Sequence, residues 1–168
     1  MMAAMTLREK ILGTPFVYNH VRPFVIGGLD LSAVYQRLEL HPDDVVLDLG
    51  CGTGDALKYL PHFARYEGFD TDPIAIRAAN ERYGSRASVT FTSRACTADD
   101  FARILPTAVV MAGLLHHLDE RDAVELLSLA ANTPSVRRVV TQDIVYLPGA
   151  EHLMSNLLAT LDRGQYCR

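Results

Sequence analysis

The chain has 168 residues, of which 49% are hydrophobic and 21% charged, and its formal net charge at pH 7 is −4. This composition is typical of one folded domain and excludes a disordered chain. There is no apolar run of about 18 residues and no Lys/Arg run longer than a pair. We therefore expect no membrane partner and no nucleic-acid partner.

The three cysteines are odd in number and lack CxxC spacing, which favours reduced thiols over a disulfide framework or a zinc site. The opening MMAAMTLREK lacks the apolar core of a signal peptide. Together these features predict a cytoplasmic protein. The histidines and carboxylates show no spacing that would demand a metal ion, so we expect no metal site.

The first forty residues predict helices ahead of any strand. Thr6–Glu9 reads as a capping box that opens a short helix. A second helix is predicted around Leu31–Leu38, with Asp30 or Ser32 as its cap. We therefore divide the chain into an N-terminal helical segment, residues 1–40, and one larger domain, residues 41–168.

From residue 45 onward, predicted strands and helices alternate. The strands are Val45–Gly50, Tyr66–Asp70, Ser88–Ser93, Ala108–Gly113 and Arg137–Asp143. The helices are Asp55–Phe63, Pro73 to about Tyr83, Asp99–Leu105, about 119–131, and Ala150–Leu161. Such alternation with near-continuous apolar strands indicates an α/β fold with a doubly wound parallel sheet. Ligands of such sheets bind beyond the carboxyl ends of the strands, where the strand order reverses.

The stretch VVLDLGCGTGD, residues 45–55, places three glycines directly after the first predicted strand. Glycine allows a sharp turn and a close ligand approach, and a loop that opens a helix directs backbone N–H groups at the ligand. We therefore predict a nucleotide cradle whose binding residues are Gly50, Cys51, Gly52, Thr53 and Gly54.

The same stretch favours S-adenosylmethionine over a dinucleotide. Its third glycine comes one residue earlier than in the GxGxxG fingerprint, and Asp55 stands where that fingerprint has Gly or Ala. Asp48 would repel a pyrophosphate but would attract the ammonium group of a methionine moiety. A nucleotide-dependent dehydrogenase is the weaker alternative.

Three stretches resemble, in order, motifs of the class I S-adenosylmethionine-dependent methyltransferases: VLDLGCGTG, YEGFDTDPIAIRAAN and VVMAGLLHHLDERD. The region of resemblance runs from Val45 to Asp143. It implies a Rossmann-like fold and S-adenosylmethionine as the cofactor. It also implies that Asp70 holds the ribose hydroxyls. Thr71 and Ile74, which follow Asp70, are candidates to lie beside the adenine, with packing as the alternative role.

The resemblance further implies candidate catalytic residues. A histidine after the fourth strand can face the transferred methyl group as a base or an orienting group. His117 aligns with the commoner histidine of the family pattern and is preferred to His116. The N-terminal segment would fold over the cofactor as a lid, where Tyr18 would contact the substrate, and Asp143 ends the fifth strand on the same side.

Two features depart from the family pattern. Arg94 stands where the family carries an acid that contacts the adenine amino group, so Asp99, Asp100 or backbone near Cys96 would replace that acid. Five strands are predicted where the family has seven, so we expect the C-terminal strands to be missing. The exposed edge strand Arg137–Asp143 would then favour a homo-oligomer.

The expected function is direct transfer of a methyl group to a small-molecule acceptor, mainly through alignment of the two reactants. The NPPY signature of enzymes that modify adenine or cytosine is absent after the fourth strand, which adds to the expectation of no nucleic-acid substrate. The alternative is a non-catalytic regulatory module that binds S-adenosylmethionine, because the missing strands help to shape the acceptor pocket in the family.

Overall fold

The computed structural model describes residues 32–143 and Gly149. Five strands of the described part form one parallel sheet in the order β3-β2-β1-β4-β5. The strands are β1 (Val45–Leu49), β2 (Arg65–Asp70), β3 (Val89–Ser93), β4 (Ala108–Ala112) and β5 (Arg138–Gln142). The helices are α1 (Ser32–Gln36), α2 (Pro73–Tyr83), α3 (Ala98–Ile104) and α4 (Glu120–Asn132). The predicted α/β fold with a parallel sheet is confirmed.

Several predictions concern residues outside the described part. They are the helix opened by Thr6–Glu9, the lid with Tyr18, and the helix Ala150–Leu161. Within the described part, no helix is both long enough and apolar enough to cross a bilayer.

The strand order reverses next to β1. The chain moves outward from β1 to β2 and β3, then returns to place β4 on the other side of β1. The crevice beyond the carboxyl ends of β1 and β4 is therefore the ligand-binding position of such a sheet. The residues that follow these two strands are Gly50–Gly54, here called the glycine loop, and the 3₁₀ turn Leu115–His117, here called the histidine turn.

Each face of the sheet is covered by its own apolar cluster. On one face Val46 and Tyr66 pack with Ile76 of α2. On the other face Leu47 and Met111 pack with residues of α3 and α4, among them Phe101, Ile104 and Ala130. Burial of each large apolar side chain stabilises the fold by about 1.5–3 kcal/mol. Coverage on both faces explains why the strands are apolar almost throughout.

The helix predicted at Asp55–Phe63 is wrong in length. The structure shows only a 3₁₀ turn, Asp55–Lys58, which ends at Tyr59. Pro61 is the physical reason, because proline lacks an N–H donor and disfavours the helical conformation at the preceding residue.

A buried carboxylate fastens the amino ends of the strands, at the edge of the sheet opposite the glycine loop. Asp44 is fully buried and accepts hydrogen bonds from the His41 N–H at 2.7 Å and from Thr107 Oγ1 and an Arg137 nitrogen, both at 2.5 Å. Burial raises the pKa of Asp44, but the hydrogen bonds from His41, Thr107 and Arg137 outweigh burial and bring the pKa to about 2, below the ordinary value of 3.8. Asp44 therefore joins the beginnings of β1, β4 and β5 as a carboxylate.

Candidate active site

The glycine loop leaves β1 in a conformation that requires glycine. Gly50, Gly52 and Gly54 have φ angles of 72°, 52° and 75°, in the left-handed region that L side chains rarely adopt. The Gly50 and Cys51 N–H groups both donate to the Phe69 carbonyl, at 2.8 and 3.1 Å. The loop is therefore attached to the end of β2 as well as to β1.

Two of these glycines also allow close packing. A Cβ atom at Gly54 would lie 2.9 Å from Cζ of Phe91 and 3.2 Å from Tyr83. A Cβ atom at Gly50 would lie 3.0 Å from Cδ1 of Leu114, the residue before the histidine turn. The glycine loop and the segment that carries the histidines are therefore in van der Waals contact.

Asp70 joins the glycine loop to the end of β2. Its Oδ2 accepts a hydrogen bond from the Gly52 N–H at 2.8 Å, and its Oδ1 accepts one from the Asp72 N–H at 2.8 Å. The side chain is half-buried. Each carboxylate oxygen has a second lone pair, so the group can also accept from two ribose hydroxyls. The residues present therefore fit the nucleoside part of S-adenosylmethionine, with exposed Thr71 and Ile74 following Asp70.

Asp48 lies inside the sheet's core. It accepts a hydrogen bond from the Tyr66 hydroxyl at 2.5 Å, and both side chains are buried. Burial raises the pKa of Asp48 to about 7, and the nearby charge of Asp70 adds to the rise, although the Tyr66 hydrogen bond opposes it. A cationic group at this position would favour the ionised form. The contact of Asp48 with the cofactor's ammonium group stays a prediction.

The sequence did not predict that Tyr66 would be the hydrogen-bond partner of Asp48. Asp48 pairs with Gly68 across the parallel strands β1 and β2, which makes Tyr66 its diagonal neighbour. The Asp48–Tyr66 contact follows from this register, which local sequence patterns do not reveal.

The remaining loop residues are held by local contacts. The Cys51 side chain is buried, and burial followed by the charges of Asp48 and Asp70 raises the pKa of its thiol. The Thr53 hydroxyl donates to Asp55 Oδ2 at 3.2 Å. Their contacts with a cofactor stay predictions.

The histidine turn is tied to the end of β5. Asp143 Oδ2 accepts hydrogen bonds from the Leu115 N–H at 2.7 Å and the His116 N–H at 3.3 Å, and Asp143 Oδ1 contacts His116 Nδ1. His116 is buried, whereas His117 is exposed. Their ring centroids are 4.0 Å apart. The structure thus brings His116, His117 and Asp143 together, whereas Tyr18 lies outside the described residues.

One proposed substitute for the missing adenine-binding acid is fully engaged elsewhere. Asp100 accepts two hydrogen bonds from Arg94, at 2.6 and 2.8 Å, and two more from the Thr97 N–H and hydroxyl. The Arg94 guanidinium is the main reason that the pKa of Asp100 lies well below its usual range, and the hydrogen bonds from Thr97 add to this effect. Asp100 therefore takes part in the cap of α3, and its contact with the adenine stays a prediction. Asp99 is exposed on the same helix.

No group of three or more His, Cys, Asp or Glu side chains in residues 32–143 is arranged to hold a metal ion.

Comparison with known proteins identifies the family and the fold. The family model described as a methyltransferase domain matches residues 46–133. This range includes the glycine loop, Asp70 and both histidines of the turn, and ends before β5.

Two curated proteins are similar over part of the chain. An uncharacterized methyltransferase of Bacillus subtilis, YodH, is 41% identical over 61 residues, which are 35% of this chain and 26% of YodH. The mRNA cap guanine-N(7) methyltransferase of Candida glabrata is 38% identical over 71 residues, which are 41% of this chain and 17% of that protein. The matched segments thus span about a quarter or less of these relatives.

Solved structures share the fold. The trans-methyltransferase CalH, in complex with SAH, has a TM-score of 0.63 at 15% identity. The superposition covers 96% of this chain and 48% of CalH.

The expectation that nucleic acid is excluded as a partner is wrong. The similar proteins include the Candida glabrata mRNA cap methyltransferase and, at a TM-score of 0.50 and 20% identity over 67% of this chain and 45% of that one, the 23S rRNA methyltransferase ErmE. The reason is physical: net charge and short Lys/Arg runs do not show where basic side chains gather. Arg82 and Arg86, four residues apart, both lie over the Tyr83 ring in the folded chain.

Proposed function

The chain belongs to the methyltransferase domain family of the class I S-adenosylmethionine-dependent methyltransferases, and on this basis we propose that it transfers the methyl group of S-adenosylmethionine to a small-molecule acceptor. The observation that carries the proposal is the hydrogen bond from the Gly52 N–H to Asp70 Oδ2. It joins the glycine loop to the carboxylate that is proposed to bind the ribose, at the reversal point of the sheet.

Each residue of the cofactor site has a proposed role. Asp70 accepts from the ribose hydroxyls, Thr71 lies beside the adenine, and the glycine loop admits the nucleoside without a steric clash. Asp48 balances the ammonium group. S-adenosylmethionine, when bound, supplies an electrophilic methyl group on a positively charged sulfur.

The acceptor side is proposed to be the histidine turn and the N-terminal segment. His117, with His116, orients the acceptor or takes its proton, and alignment of the reactants supplies most of the rate. Tyr18 and the rest of residues 1–40 are proposed to form the lid over the domain of residues 41–168.

The charge distribution supports a small acceptor. Many basic side chains of the described part lie within 4.0 Å of a carboxylate and are therefore partly neutralised: Lys58 and Arg82 by Asp55, Arg94 and Arg103 by Asp100, and Arg137 and Arg138 by Asp44. RNA is the second acceptor class, since relatives of the chain are named for RNA substrates.

Calorimetry and a turnover assay test the proposal. We expect S-adenosylmethionine and S-adenosylhomocysteine to bind and NAD not to bind. Release of S-adenosylhomocysteine is then measured with a panel of phenols, amines and thiols, and in parallel with total RNA. Turnover with RNA alone would overturn the small-molecule acceptor, cofactor binding without any turnover would favour a regulatory module, and binding of NAD alone would overturn the whole proposal.

A further inference from the structure

Asp143 holds the histidine turn through three groups. Its carboxylate accepts from the Leu115 N–H at 2.7 Å and the His116 N–H at 3.3 Å, and it contacts His116 Nδ1. These contacts join the end of β5 to a turn 27 residues earlier in the chain. A carboxylate on Nδ1 keeps the proton on that nitrogen and fixes the orientation of the ring.

The His116 ring packs next to the ring of His117. The His116 and His117 rings are 4.0 Å apart between centroids, with an angle of 40° between their planes. His116 is 4% exposed, whereas the following residue is exposed. The two histidines therefore differ in environment: His116 packs in the interior, and His117 lies at the surface.

The turn lies at the reversal point of the sheet. It follows β4, which pairs with β1, and the glycine loop follows β1. A Cβ atom added at Gly50 would lie 3.0 Å from Leu114 Cδ1, so the two segments pack closely. The Gly113 N–H also donates to the Gln142 carbonyl at 2.7 Å, so β5 is fixed to the same segment just before Asp143.

We propose that Asp143 and His116 are positioning residues that hold the exposed His117 imidazole toward the methyl-acceptor side of the site. This inference rests on the proposed function, since it takes the glycine loop as the cofactor site. It assigns a part to Asp143, which lies beyond the region matched by the family model.

Nuclear magnetic resonance of protein labelled with ¹⁵N on histidine tests the proposal. In the wild type, the His116 ring correlations are expected to show a proton on Nδ1. In D143A the ring is expected to change to the Nε2–H tautomer that prevails in water. D143N, whose amide oxygen can still accept from Nδ1–H, is expected to restore the wild-type pattern.

The ring signals of His117 in two ligand complexes report whether this ring lies near the methyl group of the cofactor. S-adenosylmethionine and S-adenosylhomocysteine differ by one methyl group and one positive charge at sulfur. We expect the His117 ring signals to differ between the two complexes in the wild type and in D143N, and this difference to fall at least twofold in D143A. His62, whose Nε2 contacts the Leu40 carbonyl, is the internal control and should not differ.

Matched variants separate positioning from folding. D119N removes the charge of a nearby carboxylate that caps α4 through the Asp122 N–H, and it should leave both histidines unchanged. H116F keeps an aromatic ring but loses the donor to Asp143, and it should reduce the difference in the His117 ring signals at least twofold. This second variant keeps the inference testable if D143A fails to fold. If D143A and H116F keep the full wild-type difference, or if His117 gives the same signals in both complexes, the inference is overturned. Absence of cofactor binding by calorimetry would instead overturn the proposed function, and this inference with it.

Discussion

At the scale of single residues, Asp70 connects the loop and the nucleoside it is proposed to hold. We predict that D70A weakens S-adenosylhomocysteine binding tenfold or more, because it removes the ribose acceptor and the acceptor of the Gly52 N–H together. Hydrogen bonds to a charged group contribute about 1.5–3 kcal/mol each. Isothermal titration calorimetry measures the effect.

A neighbouring carboxylate provides the control for Asp70. Asp72 caps α2 by accepting from the Ile74 N–H at 2.8 Å, so D72A should cost about 1 kcal/mol of stability and leave affinity within twofold. Wild-type affinity in D70A, or an equal loss in both variants, would contradict the assignment.

Asp48 is predicted to lower stability at alkaline pH. Its folded pKa of about 7 lies above the ordinary value of 3.8, so the free energy of unfolding falls as pH rises between these values. Asn at this position cannot ionise and can still accept from Tyr66. We expect D48N to be more stable than the wild type at pH 8, by up to about 4 kcal/mol, and the difference to be small at pH 4.

Urea unfolding at the two pH values measures this effect. If Asp48 also meets the cofactor's ammonium group, D48N binds S-adenosylmethionine more weakly even though it folds more stably. Y66F is the companion variant, since it removes the hydroxyl donor but retains the carboxylate. Equal stability of D48N and the wild type at pH 8 would contradict the prediction.

The sequence predicts some site residues and misses the partners of others for one reason. The glycines and Asp70 act through local spacing and the position of strand ends, which the sequence displays. Tyr66 meets Asp48 across 18 residues and Asp143 meets His116 across 27, so both contacts depend on strand register and on turn geometry. Asp100 shows the same limit, because its engagement with Arg94 is visible only in the folded chain.

At the scale of elements, the amino ends of the strands depend on Asp44. We predict that D44N lowers the free energy of unfolding at pH 7 by about 2–4 kcal/mol, because it weakens a buried network that includes Thr107 and Arg137. Because the folded pKa of about 2 lies below 3.8, the stabilisation is present above about pH 4 and is lost as pH falls through 2.

Chemical denaturation between pH 2 and 7 measures the contribution of Asp44. D43N is the matched control, since Asp43 is adjacent and exposed, and it should change stability by less than about 0.5 kcal/mol. Stability of the wild type that is unchanged between pH 5 and 2, or a D44N variant as stable as D43N, would contradict the prediction.

The elements themselves were largely predictable. The five strands begin and end within about two residues of their predicted limits, since apolar runs bounded by polar residues mark a sheet buried on both faces. The helix predicted after the glycine loop was overestimated, because Pro61 lies inside an otherwise helical pattern. Hydrophobic spacing alone does not account for the effect of this proline on helix length.

At the scale of the whole molecule, a ligand that binds only the folded chain must stabilise it. We predict that S-adenosylhomocysteine at a hundredfold its Kd raises the free energy of unfolding by about 2.7 kcal/mol. For a chain of this size the midpoint should rise by roughly 5–10 °C. Differential scanning fluorimetry measures the change.

NAD at the same concentration is the control and should not move the midpoint. D70A should show about half the wild-type increase or less at equal ligand concentration, since its binding is expected to be at least tenfold weaker. A larger increase with NAD than with S-adenosylhomocysteine would contradict the cofactor assignment.

The Asp44 network and the glycine loop lie at opposite ends of the same strands, and this separation has an evolutionary consequence. Substitutions around the histidine turn, on the proposed acceptor side, would alter acceptor preference without disturbing the Asp44 network that holds the strands together. New acceptor preferences can therefore accumulate on an unchanged scaffold, and inheritance of the fold need not carry inheritance of the substrate.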